Sequence, residues 1–382
     1  MNRKITVTTG TRSEYGILRP LIKQIISSKH LKLYLIVCGM HLSRKHGFTI
    51  NEIKKDHIPI SSIVEMIPKQ DTNFEMSLAV GRGIIGFSKA FKKIKSDINL
   101  ILGDRDEALA SAISAYHMNI PNAHIHGGDK TKAGIDEYNR HALTKISNIH
   151  FAGSKKSMQR ILKMGEKKKY VFHTGSPSID EISQNKITKK SVLEKKYKIK
   201  LDGNEILLLQ HPVTSQISSS KKQITNTLNA LSKFETNIIT IAPNSDAGSK
   251  AIYSKLKSFS KNNSNMKLFP NLPRNDYLSF LSHCGVLVGN SSSGFIEGSY
   301  FKIPVVNIGI RQNLREGGSN IIFVKDFSEA EIHKAVKRAL QKNILKTKKP
   351  NLYGIGNASK KITKILEEIK ITDELIQKQI DY

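Results

Sequence analysis

Short apolar runs alternate along the chain with stretches whose apolar positions recur at three-and-four spacing, the mark of strands followed by amphipathic helices. Residues 5–10 are β-rich, and Ile17, Leu18, Leu21, Ile22, Ile25 and Ile26 then lie on one helical face. Further strands are predicted over 31–39, 98–102, 123–126, 149–153 and 171–175. Helices are predicted over 50–54, 73–94, 107–117, 154–164 and 178–183, with another opening at Asp136. Around 182–202 the chain becomes rich in Lys, Ser and Asn, which reads as an interdomain region. The pattern then restarts, with strands at 205–210, 237–242, 266–269, 286–289, 305–308 and 321–324 and helices between them. This cadence predicts parallel, doubly wound sheets. The expected fold is α/β, with two Rossmann-like domains facing a cleft. They span 1–182 and 183–355, and a last segment, 356–382, brings a helix (358–369) back toward the first domain.

In open α/β sheets ligands bind beyond the carboxyl ends of the strands, and that is where the polar clusters fall. Gly103-Asp104-Arg105 and His126-Gly127-Gly128-Asp129 end two first-domain strands, and Asp136 to His141 opens the next helix. Carboxylates, histidines and arginines converging on one sheet edge imply an acid/base site beside an anionic ligand, with Asp104, His126, Asp129 and Asp136 as its candidates. Arg12, in the turn Thr11–Gly16, either grips a phosphate in bidentate fashion or pairs with Glu14. In the second domain, residues 289–297 (GNSSSGFIE) follow a strand and open a helix, so Ser291, Ser292 and backbone N–H groups suit a diphosphate. Glu297 suits two ribose hydroxyls, or else simply complements the helix dipole. His211, Asn244 and Arg311 lie in similar strand-end loops, His211 being either structural or functional.

Composition narrows the classes. The chain has 382 residues, enough for two domains. Its net charge of +29 comes from lysines scattered over helices and loops, including Lys348-Lys349. No aromatic-interleaved or zinc-finger pattern accompanies them, so specific nucleic-acid binding is not expected. Cys38 and Cys284 lack metal-ligand spacing and read as buried, reduced residues. No apolar run is of transmembrane length and the first residues pass directly into a strand, so a soluble, cytoplasmic protein with no membrane partner is expected.

In order, the segments GTRSEYG, LGDRDEALA, HIHGGDKT, DEYNRHALTK, QHPVT, PNSDAGS, GNSSSGFIE and NIGIRQ resemble the hydrolysing UDP-N-acetylglucosamine 2-epimerases over residues 4 to about 360. The resemblance implies a glycosyltransferase-B-type architecture, no nicotinamide or other cofactor and no catalytic metal. It also implies a UDP-sugar substrate with UDP and free N-acetylmannosamine as products, and a homodimer or homotetramer. By motif, Arg12, Gly16, His211, Asn244, Ser291, Ser292, Glu297 and Arg311 would hold the nucleotide. Arg105 would lie beside Asp104 and Asp136 around the sugar and its phosphates. Some family members carry Glu where this chain has His126, and others Glu where it has Asp129, which leaves the identities of acid and base open. The same chemistry on a UDP- or GDP-linked diacetamido sugar is the nearest rival, and a glycosyltransferase or a non-catalytic nucleotide-sugar-binding protein the rivals of another class. Removal of the weakly acidic C2 proton with loss of the anomeric diphosphate would leave a 2-acetamidoglucal. Crowding among Asp104, Asp129 and Asp136 is expected to hold one proton among the three.

Overall fold

A computed structural model describes residues 2–44, 47–132, 134–184, 187–244, 246–341 and 351–381. Seven strands form the first sheet: β1 (Arg3–Thr9), β2 (Leu31–Cys38), β3 (Ile60–Val64), β4 (Ile98–Leu102), β5 (Asn122–Ile125), β6 (Ile149–Ala152) and β7 (Val171–His173). Six form the second: β8 (Ile206–Leu209), β9 (Ile238–Ile241), β10 (Met266–Phe269), β11 (Val286–Gly289), β12 (Val305–Ile308) and β13 (Ile321–Val324). The orders are β3-β2-β1-β4-β5-β6-β7 and β10-β9-β8-β11-β12-β13. Every pairing is parallel. Two Rossmann-like units are thus present, in the glycosyltransferase-B arrangement.

Strand order reverses between β1 and β4 in one sheet and between β8 and β11 in the other. At such a switch point the flanking crossovers leave to opposite faces and open a crevice at the strand ends. Arg12 and Asp104 follow the first pair; His211 and Ser291 follow the second. The central strands are near-continuous apolar runs, as a sheet covered on both faces requires; Ile98, Leu100, Ile101, Val286 and Val288 are fully buried.

The first helix starts earlier than its apolar spacing suggests. Arg12–Ser27 is helical from Arg12 onward, and Thr11 and Glu14 form a reciprocal capping box. Arg12 and Gly16 are therefore helix residues, not loop residues. Glu14 is committed to the Gly10 and Thr11 amides, so Arg12 pairs instead with Glu52 at 2.7 Å.

The pattern does not predict every element. β3 is an edge strand, ISSIV, with only its last residue buried. The Lys-rich stretch read as interdomain carries a helix, Lys190–Tyr197, anchored by Leu193 in a core shared with Leu207, Ile239 and Leu287. A short helical turn, Asp373–Ile376, follows the long C-terminal helix. That helix, Ala358–Glu368, packs Ile362 and Leu366 into the core beneath the first sheet. Residues Asn185 and Lys186 of the interdomain stretch, Ser245 of the PNSDAGS segment and Lys348-Lys349 lie outside the described residues. Cys38 and Cys284 are free and buried. No described helix is long and apolar enough to cross a membrane.

Candidate active site

The two switch points open onto one cavity of about 310 Å³, lined by both units, a volume suited to a small-molecule site. Arg12, Asp104, Arg105, His126, Asp129 and Asp136 reach it from the first unit; His211, Asn244, Ser291, Ser292, Glu297 and Arg311 reach it from the second. Gly16 does not line it. A Cβ there would stand 2.8 Å from Cγ of Arg274, so the glycine opens the space through which that side chain passes.

Each acidic candidate has its own arginine. Arg140, a large and fully buried side chain, donates through Nε to Asp104 at 3.0 Å and through Nη1 to Glu137 at 2.6 Å. Arg315 donates to Asp129 at 2.7 Å and Arg311 to Asp136 at 2.7 Å. Burial works to raise the Asp104 pKa, but Arg140, Arg315 and Arg311 bring it below the ordinary carboxylate range. Asp129 is likewise buried, and Arg315 and His126 hold it well below that range. Asp136 differs: burial, opposed by Arg311 and aided by the Asp104 charge, lifts it to about 6. Of the three, Asp136 alone shows an upward shift, which puts a proton on it only below about pH 6. The main cause of the shift is desolvation, and carboxylate crowding is the lesser one.

His126 sits at φ +66°, an uncommon backbone for a side chain with a Cβ. Its Nε2 lies 2.9 Å from the Ser176 hydroxyl and its Nδ1 3.5 Å from Asp129. Burial, with the Arg311 charge, lowers the His211 pKa to about 3. The ring is then neutral, and because Nδ1 accepts the Asn244 amide at 3.1 Å, its proton is on Nε2. Arg311 also donates to the Asn290 carbonyl at 3.2 Å. One guanidinium thus joins Asp136 to the start of the serine run. Ser292 stands at the N-cap of helix Ser293–Phe301 without capping it by its side chain, which leaves its hydroxyl for a ligand. Glu297 meets Arg274 at 2.5 Å and Ser178 at 2.6 Å; against burial, Arg274 keeps it below its ordinary pKa.

Arg140 lies within the Asp136–His141 cluster of the sequence, which gives it no role of its own there, and Arg315, four residues past Arg311, is not in any of its motifs. Arg274, which spans Glu181 and Glu297, left no local signal. Asn271, an acceptor for Arg12 at 2.6 Å, was equally silent. Among the described residues no group of three or more His, Cys, Asp or Glu is placed to hold a metal ion.

Two Rossmann-like units thus close on one cavity between an acidic edge and a serine-lined helix start. The chain belongs to the UDP-N-acetylglucosamine 2-epimerase family, whose profile matches residues 23–367. It is 37 % identical over 378 residues to a hydrolysing UDP-N,N'-diacetylbacillosamine 2-epimerase of Legionella pneumophila, covering 99 % of each chain. It is 30 % identical over 337 residues to a UDP-N-acetylglucosamine 2-epimerase of Neisseria meningitidis, covering 88 % of this chain and 87 % of that one. In fold it superposes on a crystal structure of the UDP-GlcNAc 2-epimerase from Neisseria meningitidis bound to UDP-GlcNAc with a TM-score of 0.79. That match is 19 % identical and covers 95 % of this chain and 99 % of the other.

Proposed function

We propose that this protein is a hydrolysing 2-epimerase of a UDP-linked 2-acetamido sugar. The observation that carries the proposal is Asp136: a carboxylate only 16 % exposed, poised at about pH 6, one arginine away from the serine run that would receive a diphosphate. As the carboxylate it takes the proton from C2. The C–H electrons form the C1=C2 bond while the C1–O bond breaks toward the diphosphate. Arg311, Ser291, Ser292 and the Nε2–H of His211 meet the charge that develops on the leaving group, and such fixed donors in a dry cleft are a large catalytic term. Water then adds its oxygen to C1, and a proton returns to C2 on the opposite face. The sum is UDP-sugar plus water giving UDP plus the free 2-epimer, with no cofactor consumed. Asp104 and Asp129, held as anions by their arginines, steady the sugar and orient His126.

The full-length likeness to the Legionella enzyme supports UDP-N,N'-diacetylbacillosamine as substrate. UDP-N-acetylglucosamine, giving N-acetylmannosamine for sialic acid synthesis, is the second reading, supported by the Neisseria relative. Incubation with each UDP sugar and with the GDP counterpart, in D2O, tests both readings. Free nucleoside diphosphate and 2-epimer should appear in equal amounts, with one deuterium at C2. Release of a free sugar with its C2 configuration and proton retained, or transfer only to an added acceptor, refutes the assignment.

A further inference from the structure

Tyr353 belongs to residues 351–357, which lead into the C-terminal helix, and it is buried against the acid/base edge although no site motif contains it. Its contacts close a ring around His126. The Tyr353 carbonyl accepts the Ser176 amide at 2.8 Å, and the Ser176 hydroxyl lies 2.9 Å from Nε2 of His126. The phenol ring is tilted 34° to the imidazole with centroids 6.2 Å apart. On the far side the Tyr353 hydroxyl donates to the Glu316 carbonyl at 2.9 Å. Glu316 follows Arg315, the partner of Asp129, and Asp129 is the carboxylate beside Nδ1 of His126. Glu316 itself is tied to the first unit by Arg160 at 2.6 Å and by Ser154 at 2.9 Å. Gly153 marks how close this packing is: a Cβ there would lie 3.0 Å from the imidazole and 3.4 Å from the Tyr353 ring.

We propose that Tyr353 is the positioning residue for His126, fixing its ring between Ser176 and Asp129 through contacts made from a segment outside both sheets. An ionised Asp129 favours the proton on Nδ1, and Nε2 then accepts from Ser176. The ring of His126 is held by its neighbours, Ser176 and Asp129 at its two nitrogens and Tyr353 beside its face. The catalytic consequence rests on the proposed function; the placement of the ring does not.

The test uses full-length protein labelled with 15N-histidine, the His126 resonances being identified by their loss in His126→Gln. In Tyr353→Leu the His126 ring-nitrogen resonances should move without substrate. On the active substrate kcat should fall about tenfold with KM changed by less than about twofold, since misplacement of a positioned group costs turnover rather than binding. Gly153→Ala, which presses on both rings without removing either, should move the same resonances and lower kcat by a smaller factor. Tyr353→Phe, keeping ring and carbonyl, should recover kcat to within about threefold of wild type. Unmoved resonances in Tyr353→Leu and Gly153→Ala overturn the proposal. So does a loss of thermal stability alone, with kcat and its pH profile intact. If the wild-type protein releases no nucleotide from any UDP sugar, the functional reading fails, and the resonances still decide the role of Tyr353.

Discussion

Asp136 occupies the first turn of helix Ile135–Lys145, where the helix dipole favours an anion, and it faces the Arg311 guanidinium. Both influences lower a pKa, yet burial wins and the group stands at about 6. A base of this kind works once ionised, so kcat/KM should fall about tenfold per pH unit below about pH 6. Arg311→Met removes the opposing charge and should move that limb upward in kcat measured at saturating substrate. Asp136→Asn should cost about 10²–10⁴-fold in kcat, the usual worth of a positioned acid/base group. Stability runs the other way. The folded pKa lies above the model-peptide value of about 3.9, so the folded state binds the extra proton between these limits, and the stability this confers is lost as pH rises through about 6. Asp136→Asn should therefore gain thermal stability over wild type between pH 4.5 and 7, and a gap that shrinks instead would show that the Arg311 pair outweighs burial. Asp104 and Asp129 stand out in a single sequence as carboxylates just past strand ends, and Asp136 as one that opens the next helix. Their electrostatics do not. Arg140 is 36 positions from Asp104 and Arg315 is 186 from Asp129, and only the fold brings such partners together.

The first helix carries a conflict between local preference and packing at Gly16. Glycine inside a helix is less favourable than alanine by about 1 kcal/mol, so a Gly16→Ala change gains locally. Its Cβ, however, would stand 2.8 Å from Arg274 Cγ and 2.9 Å from Cδ, and the Arg274 guanidinium is held by Glu181 through Nε and by Glu297 through Nη2. Displacing it leaves two buried carboxylates, Glu181 and Glu297, without their cation, a costly loss. Gly16→Ala should thus lower the melting temperature and weaken UDP binding by calorimetry, through Glu297. In an Arg274→Ala background the same change should become neutral or stabilising, a sign reversal that crowding against any residue other than Arg274 would not give. Elements were legible where the apolar pattern is strong, as one face of a helix or a continuous strand: 73–94, 286–289 and 305–308 fall at the boundaries their patterns predict. β3 escaped because an edge strand needs few apolar residues. Helix Lys190–Tyr197 escaped because it buries Leu193 alone, which leaves no periodicity to see.

Across the whole molecule the cleft is closed by polar contacts made one from each unit. Arg12 donates to Asn271 at 2.6 Å, Arg311 to Asp136 at 2.7 Å and the Ile135 amide to Thr214 at 3.2 Å, while Arg105 faces Asp246 at 3.6 Å. Most line the cavity, where a bound nucleotide sugar would compete for the same groups. Asp71 is different. It leaves the first unit ahead of helix Asn73–Ile94 and accepts the Gly248 and Lys250 amides, each at 3.1 Å. Those amides open helix Ser249–Asn262, whose N-cap is Gly248 and therefore has no side chain to cap with. The carboxylate supplied by the other unit does what a local Asp or Ser would do at that position, typically worth about 1 kcal/mol, and its charge is favoured by the helix dipole. A cap of this sort exists only while the units are together, so it stabilises the closed arrangement rather than either unit. Asp71→Ala should leave the chemical step unchanged once substrate is bound and raise KM about fivefold, the equivalent of that lost cap. Small-angle scattering of the substrate-free protein should show a larger radius of gyration. Asp71→Asn keeps one oxygen acceptor for these amides and should reverse part of the KM rise of Asp71→Ala. A KM and a radius of gyration unchanged in Asp71→Ala would mean that closure is held by the cavity contacts alone.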